Sequence, residues 1–277
     1  MFDLPEWLIA VIAGIVEGVT EFLPISSTGH LIITSDILPF ASESLAGTFE
    51  IFIQIGAVIA VIFYYRTQLL TQAQNVIASD AQTNQSARQL WLGIAIAFIP
   101  AAVIGLLLGD LIDELLFNPV TVAVALIVGG IAFIIIENIL KDKQTEEQSI
   151  ETTPLTFKQA LLVGLWQVLA LIPGMSRSGM SIIGGMISGL DRQRATQFSF
   201  YLAMPTLGAA TIYTLLKDLD TISTNDLFLL GLGALVSGIV AWFSIGWLLR
   251  YVATNSFIPF GYYRIVVGLI ILALNYL

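Results

Sequence analysis

Two glutamates near the start of the chain are the first residues whose type and spacing could do chemistry. Glu17 and Glu21 lie four residues apart in GIVEGVTEFLPISSTGH, so on a helix they share one face. The surrounding sequence is apolar, and two carboxylates there repel each other unless a cation, a proton or a basic partner offsets them. A hard divalent cation, Mg²⁺ or Ca²⁺, suits these oxygen ligands together with phosphate oxygens. The alternative is a shallow helix on which both glutamates are interfacial charges.

Hydroxyl side chains and the only histidine follow these glutamates. Ser26, Ser27 and Thr28 stand where the chain turns, and hydroxyls with free backbone N–H groups at a helix N-terminus form an anion site. Capping alone is the alternative for Ser26 and Thr28. His30 lies three residues beyond Ser27, where it could be a base for Ser27 or for water, or donate to a phosphate. A structural histidine bonded to a carbonyl is the alternative.

A second polar stretch, PGMSRSG at 173–179, places Arg177 among apolar residues. A guanidinium is always charged and needs an anionic partner there, and its planar fork fits phosphate. Its partner could instead be Glu17 or Glu21 in a buried ion pair. Both could hold, with the ion pair in the empty site and phosphate in the filled one. Together the two stretches predict an anion site equipped for phosphoryl chemistry.

The elements that must position these residues are membrane helices. Hydrophobic residues make up 57% of the 277-residue chain and charged residues 11%, against about a quarter charged in soluble domains. Apolar runs long enough to cross about 30 Å of hydrocarbon predict six spans. They cover 49–65, 90–108, 120–140, 195–216, 227–249 and 258–277. The chain contains no cysteine, which excludes disulfides and thiolate metal sites.

Two further apolar segments, about 7–35 and 159–190, are interrupted by LPISSTG and IPGMSRSG. Proline, glycine and hydroxyls interrupt a helix, so we expect two re-entrant helical hairpins. At an offset of 150 the segments match, which indicates an internal duplication. The matches include Gly14 with Gly164, Glu17 with Gln167, Ser26 with Ser176, Thr28 with Ser178, and Gly29 with Gly179.

The predicted fold is an all-α integral membrane protein, with six transmembrane helices plus two re-entrant hairpins in an inverted repeat. Residues 1–277 form a single membrane domain, in which 1–140 is the first repeat, 141–156 a cytoplasmic linker and 157–277 the second repeat. An odd number of spans in each repeat inverts the second copy relative to the first. Such repeats bring broken helices together near the bilayer midplane.

The distribution of basic residues predicts the orientation. Eight of the eleven lysines and arginines fall in 66–89, 141–158, 191–194 and 250–257, on one side of the predicted topology. The opposite side carries Lys217 among eight acidic residues. The positive-inside rule therefore places the first group in the cytoplasm and both termini outside.

The two motifs EGVTEFLPISSTGHL and PGMSRSG resemble those of the bacterial undecaprenyl-diphosphatase family, the BacA/UppP type of bacitracin-resistance phosphatase. Chain length, hydropathy and motif spacing agree as well, so the resemblance covers essentially the whole chain. It implies hydrolysis of undecaprenyl diphosphate to undecaprenyl phosphate with a divalent cation, which recycles the lipid carrier of cell-wall synthesis. It also implies a bacterial inner (plasma) membrane protein with its active site on the periplasmic or extracellular side.

Carried over residue by residue, the resemblance implies roles for both motifs. Glu17 and Glu21 would be metal-associated or acid/base carboxylates, Ser27 the nucleophile, His30 its base or a proton donor, and Arg177 the phosphate clamp. Supporting substrate contacts would come from Ser26, Thr28, Gly29, Gly174, Ser176 and Ser178. The expected partners are the lipid substrate and membrane lipids, with no nucleic acid, and a homodimer is left open. Met180 and Ser181 depart from the fuller second motif, where a threonine often follows.

The main alternative function is a transporter or flippase of a polyprenyl phosphate lipid, because inverted repeats with discontinuous helices are typical of transporters. A site that only binds would not need a hydroxyl beside an imidazole and a carboxylate pair, whereas hydrolysis does. The single histidine excludes the acid-phosphatase type of lipid phosphatase, which uses two. The attack could be covalent through Ser27 or direct by water, with Glu21 or His30 as base.

Overall fold

The structure is a computed structural model that describes residues 4–40, 43–77, 80–146, 155–218 and 224–276. These residues are helical almost throughout and contain no strand, which confirms the all-α fold class. The helices are α1 Glu6–Thr20, α2 Ser27–Ile37, α3 Glu43–Phe52, α4 Gln54–Tyr64, α5 Arg66–Asn75, α6 Ala81–Leu116, α7 Pro119–Glu146, α8 Phe157–Val168, α9 Arg177–Ile187, α10 Arg192–Asp218, α11 Thr224–Val252 and α12 Ile258–Tyr276.

Six segments are long and apolar enough to cross a membrane, as the sequence predicts. They are Gly47–Tyr64, Gln82–Leu116, Pro119–Leu140, Arg192–Lys217, Asp226–Val252 and Ile258–Asn275. The first is interrupted at Ile53, where α3 ends and α4 begins. The connections are more helical than expected, because α5 and the start of α6 occupy the predicted loop 66–89, and α7 continues to Glu146 in the predicted linker. Residues 147–154 of that linker lie outside the described residues.

Both interrupted segments are helical hairpins with a short turn between two helices. The first runs from α1 through residues 21–26 into α2. The second runs from α8 through a 3₁₀ turn at Leu169–Leu171 and residues 172–176 into α9. Each turn contains a proline, Pro24 in the first and Pro173 in the second. Proline interrupts a helix because it cannot donate a helical hydrogen bond. The breaks are therefore where the sequence places them, whereas the re-entrant placement in the bilayer and the inverted relation of the halves stay predictions.

The two halves interlock rather than pack side by side. Helix α1 packs against α11, α8 packs against α6, and α7 packs against α12, so each contact joins one half to the other. Glycines allow the close crossings: a Cβ on Gly14 would lie 2.6 Å from the Gly233 carbonyl oxygen, and one on Gly164 would lie 2.5 Å from that of Ala97. This exchange of partners brings the two hairpin turns together at the centre of the molecule.

Candidate active site

The same unusual backbone conformation opens the second helix of each hairpin. Ser26 and Ser176 both have a φ of 72°, in the left-handed region that L-residues other than glycine seldom adopt. The Ser26 side chain accepts a hydrogen bond from the Gly29 N–H at 3.4 Å, and the Ser176 side chain accepts one from the Gly179 N–H at 3.1 Å. Both serines are therefore N-caps. The residue after each of these serines begins the second helix of its hairpin. It is Ser27 in the first hairpin and Arg177 in the second.

Glu21 joins the two hairpins at the centre of the site. Its Oε1 accepts a hydrogen bond from Arg177 Nη2 at 2.9 Å, and both side chains are almost fully buried. Its Oε2 accepts a hydrogen bond from the Ser27 hydroxyl at 2.8 Å. One carboxylate thus binds both the candidate nucleophile and the candidate phosphate clamp. A buried carboxylate that accepts a serine proton donor is in place to act as its base.

The remaining donors of Arg177 are only partly used. Nη1 donates to the Ser199 carbonyl at 2.9 Å and to the Ser199 hydroxyl at 3.3 Å, and the guanidinium lies 5.7 Å from the centroid of the Phe22 ring. Nε is buried and has no hydrogen-bond partner. A buried N–H donor without a partner is costly, so this group favours an acceptor in the site.

Glu17 is fully buried, and neither oxygen of its carboxylate has a hydrogen-bond partner. Its charged neighbours are Glu21, Glu50 and Arg177. A buried carboxylate without donors needs a cation or a proton, and Mg²⁺ commonly binds one or two carboxylates together with substrate phosphates and water. Within the described ranges no group of three or more His, Cys, Asp or Glu side chains is arranged to hold a metal ion. The donor set therefore fits a cation that takes its remaining ligands from substrate and water.

His30 forms no hydrogen bond with Ser27, for which it is one predicted base. Its Nδ1 lies 2.7 Å from the Ser26 carbonyl oxygen, and its Nε2 lies 2.8 Å from the hydroxyl of Tyr263 on α12. A carbonyl oxygen only accepts, so Nδ1 carries a proton, and in the neutral ring Nε2 accepts from Tyr263. The planes of the two rings are almost parallel, with an interplanar angle of 4°. Both nitrogens are thus engaged away from the nucleophile, which corresponds to the structural alternative for this residue.

A cavity of about 190 Å³ lies between the two turns. Seven of the eleven predicted site residues line it, namely Glu21, Ser26, Ser27, Thr28, Gly174, Ser176 and Arg177. Glu17, Gly29, His30 and Ser178 are not part of the lining. Ser178 is fully buried and donates to the Leu23 carbonyl at 3.1 Å, so it ties the second hairpin to the first turn rather than facing the cavity.

Three polar residues of the lining were not predicted as site residues. Gln167 and Thr206 lie side by side, with Gln167 Nε2 3.4 Å from the Thr206 hydroxyl, and Gln54 lies at the start of α4. Gln54 follows the break at Ile53 and lines the cavity. Gln167 could have been found from the repeat, because it is the counterpart of Glu17 at the offset of 150.

The fold and this cavity define a class: a multi-pass membrane protein whose buried polar site combines a serine, a carboxylate and an arginine from two broken helical hairpins. The chain belongs to the BacA family, because the family model described as bacitracin resistance protein BacA matches residues 10–270. It is 48% identical over 264 residues to undecaprenyl-diphosphatase 1 of Chromobacterium violaceum, covering 95% of this chain and 94% of that protein. It is also 47% identical over 272 residues to undecaprenyl-diphosphatase of Methylobacillus flagellatus, covering 98% of each chain.

Proposed function

We propose that this membrane protein is a phosphatase that hydrolyses undecaprenyl diphosphate to undecaprenyl phosphate and inorganic phosphate. The observation that carries the proposal is the Glu21 carboxylate, which binds the Ser27 hydroxyl and the Arg177 guanidinium inside one buried cavity. The relatives named undecaprenyl-diphosphatase cover almost the whole chain and support the same activity. The expected consequence for the cell is recycling of the cell-wall lipid carrier and resistance to bacitracin.

The chemistry begins at Ser27. Its hydroxyl oxygen attacks the terminal phosphorus in line, its proton passes to Glu21 Oε2, and the bond to the bridging oxygen breaks, so that undecaprenyl phosphate leaves. Glu21 gives this proton to the departing undecaprenyl phosphate and is again a carboxylate. Water then attacks the phosphoserine, Glu21 accepts a proton from the water and passes it to the serine oxygen as the bond from that oxygen to phosphorus breaks, and inorganic phosphate leaves. Direct attack by water with Glu21 as base uses the same residues. His30 acts on neither proton in this scheme, and instead holds the Ser26 carbonyl beside the nucleophile.

Arg177 neutralises the charge on the transferred group. Its unpaired Nε is free to donate to a phosphate oxygen, while Nη2 keeps its bond to Glu21. Fixed donors of this kind stabilise transition-state charge more than they stabilise the bound substrate. This division of labour is consistent with phosphoryl transfer by positioning and electrostatics.

A divalent cation, Mg²⁺ or Ca²⁺, would be held by the carboxylates of Glu17 and Glu21. When bound, it would supply Lewis-acid stabilisation of the phosphoryl oxygens. The chain's own contribution there is the Glu17 carboxylate, whose two oxygens have no other partner. Without the cation, two neighbouring carboxylates would repel an anionic substrate.

We further propose that the protein lies in the bacterial inner membrane and that the diphosphate enters from the outer face. The support is the clustering of eight of eleven basic residues on the opposite, cytoplasmic side of the predicted topology. The prenyl chain would then remain in lipid between the helices while only the head group enters the cavity. A transporter of the same lipid has no support beyond the broken helices, since the relatives carry the name of a phosphatase.

The test is phosphate release from undecaprenyl diphosphate by the purified protein in detergent. We expect release that EDTA abolishes and that added Mg²⁺ or Ca²⁺ restores. Glu21→Gln should lower kcat about 10³-fold, because it removes the general base. The matched control is Glu114→Gln, an exposed glutamate near the end of α6, which should leave kcat unchanged. Tight binding of the lipid without phosphate release under any metal would contradict the proposal and favour the transporter.

A further inference from the structure

A second arginine, Arg264 on α12, is fully buried behind the cavity. Its guanidinium donates to backbone carbonyls only. The acceptors are Ala125 and Leu126 on α7 at 3.3 Å each, Pro24 in the first turn at 3.3 Å, and Gly174 and Met175 in the second turn at 3.1 Å each. One side chain thus hydrogen-bonds both hairpin turns and one transmembrane helix.

No acidic side chain in the described part of the chain forms an ion pair with Arg264. An arginine buried at membrane depth without a carboxylate is expensive and marks a functional role. Two glycines nevertheless pack directly against the Arg264 guanidinium. A Cβ on Gly179 would lie 3.2 Å from Nη1, and a Cβ on Gly129 would overlap the guanidinium. Glycine at both positions therefore leaves the space that the fork occupies.

The carbonyls that Arg264 binds lie next to the reacting groups. Pro24 is three residues from both Glu21 and Ser27, and Met175 is two residues from Arg177. The hydrogen bond of Arg264 to Pro24 therefore fixes the turn that carries the nucleophile and the base. Its hydrogen bond to Met175 fixes the turn that carries the phosphate clamp. The planar fork reaches the two turns from separate nitrogens, Nη1 and Nη2, whereas a lysine would have to reach both from one ammonium nitrogen.

We propose that Arg264 is a positioning residue for the reaction. Its guanidinium sets the separation of the two hairpin turns so that Ser27, Glu21 and Arg177 meet. It also places a fixed positive charge behind Gly174, at the wall of the diphosphate cavity. The role in the reaction rests on the proposed phosphatase function, whereas the coupling of the two turns does not.

The test compares one substitution at two arginines, the fully buried Arg264 and the partly buried Arg192. Arg264→Lys keeps the charge but loses the fork, and Arg192→Lys does the same at the bidentate ion pair in which Arg192 Nε and Nη2 donate to the two Glu137 oxygens. Arg192 lies outside the cavity lining. We measure kcat and KM for undecaprenyl diphosphate, and the unfolding temperature of each purified variant.

Arg264→Lys should lower kcat per folded protein about 100-fold, the size of loss that a displacement near 1 Å can cause, with a much smaller change in KM. Arg192→Lys should lower the unfolding temperature but keep kcat near that of the wild type. Should Arg264→Lys fold poorly, Gly129→Ala displaces the fork without removing it and should also lower kcat. Its control, Gly109→Ala, adds a methyl group to open space. Wild-type kcat in Arg264→Lys and in Gly129→Ala would overturn the reaction role.

Hydrogen–deuterium exchange tests the coupling without any turnover. In Arg264→Lys, the backbone amides of 21–29 and of 172–179 should exchange faster together, while those of α5 keep the wild-type rate. Exchange that stays unchanged in either turn would overturn the proposal even if the enzyme lost activity. If the wild type releases no phosphate but Arg264→Lys accelerates exchange in both turns, the proposed function fails and the coupling stands.

Discussion

The two hairpins have the same backbone and opposite chemistry. Each breaks at a proline-containing turn, and each starts its second helix from a serine with a φ of 72°. At the offset of 150, however, Ser27 corresponds to Arg177, Glu21 to Leu171 and His30 to Met180. The first hairpin thus supplies the candidate nucleophile Ser27 and the carboxylates. The second hairpin supplies the positively charged Arg177 at the position equivalent to Ser27. Two turns with matching backbone conformation can thus hold complementary parts of one proposed reaction.

The largest expected effect on this division of roles comes from removing the guanidinium of Arg177. Arg177→Ala should lower kcat by about 10³ to 10⁵-fold, the range known for arginines that stabilise phosphoryl transfer. Arg177→Lys should recover only part of it, because the ammonium lacks the fork. Phosphate release per folded protein measures both, and Arg250→Ala, an exposed arginine at the end of α11, serves as the control. Near-normal turnover in Arg177→Ala would show that the second hairpin carries no catalytic charge.

Removal of the nucleophile from the first hairpin should have the next largest effect. Ser27→Ala should lower kcat at least about 10³-fold while the lipid still binds, because the covalent route needs the hydroxyl. Acid quenching during turnover should trap phosphoserine at position 27 in the wild type, detectable by mass spectrometry. Ser244→Ala is the matched control, since Ser244 only donates to the Val240 carbonyl of its own helix. Substantial residual turnover with no trapped phosphoserine would instead establish direct attack by water.

His30 also tests the comparison of the two hairpins, because its counterpart in the second hairpin is Met180. His30→Met should lower kcat only about tenfold, since the residue acts through the Ser26 carbonyl rather than on a reacting proton. Tyr263→Phe should give a similar or smaller loss, and the two losses should not add in the double variant, because the residues are in contact. The pH–rate profile should keep its shape in His30→Met. Disappearance of one limb of that profile would identify His30 as the base after all.

An effect of similar size, on KM rather than on kcat, should come from making the second hairpin resemble the first. Gln167→Glu places a carboxylate at the counterpart of Glu17, within the cavity wall. The added negative charge should raise KM for the anionic diphosphate about tenfold, an electrostatic change of roughly 1 to 2 kcal/mol, with little change in kcat. Steady-state kinetics at low ionic strength measure it, with Gln82→Glu at the exposed start of α6 as control. An unchanged KM would show that the diphosphate does not approach Gln167.

Much of this arrangement can be predicted from sequence because it depends on local signals. Apolar length predicts the six spans, and proline with glycine predicts where each hairpin breaks. The repeat predicts that Ser27 and Arg177 stand at equivalent turns. These signals need no knowledge of which helices touch.

The missing parts depend on side-chain direction and on distant partners. A spacing of three places His30 near Ser27 on a helix, but its rotamer turns back to the Ser26 carbonyl, where it also meets Tyr263 at a separation of 233 residues. Arg264 carries no motif, and its five carbonyl acceptors become neighbours only in the folded chain. Helix packing decides both contacts, and no local pattern records it.

The interlocking of the halves has a consequence for biogenesis. Glu21 is synthesised 156 residues before Arg177, its ion-pair partner. At about 5 to 20 residues per second, the ribosome needs roughly 8 to 30 seconds to cover that distance. During this interval α1 also lacks α11, the helix on which it packs. The first hairpin therefore cannot reach its final packing until the second half has been made, so the burial of its carboxylates is a late step in biogenesis.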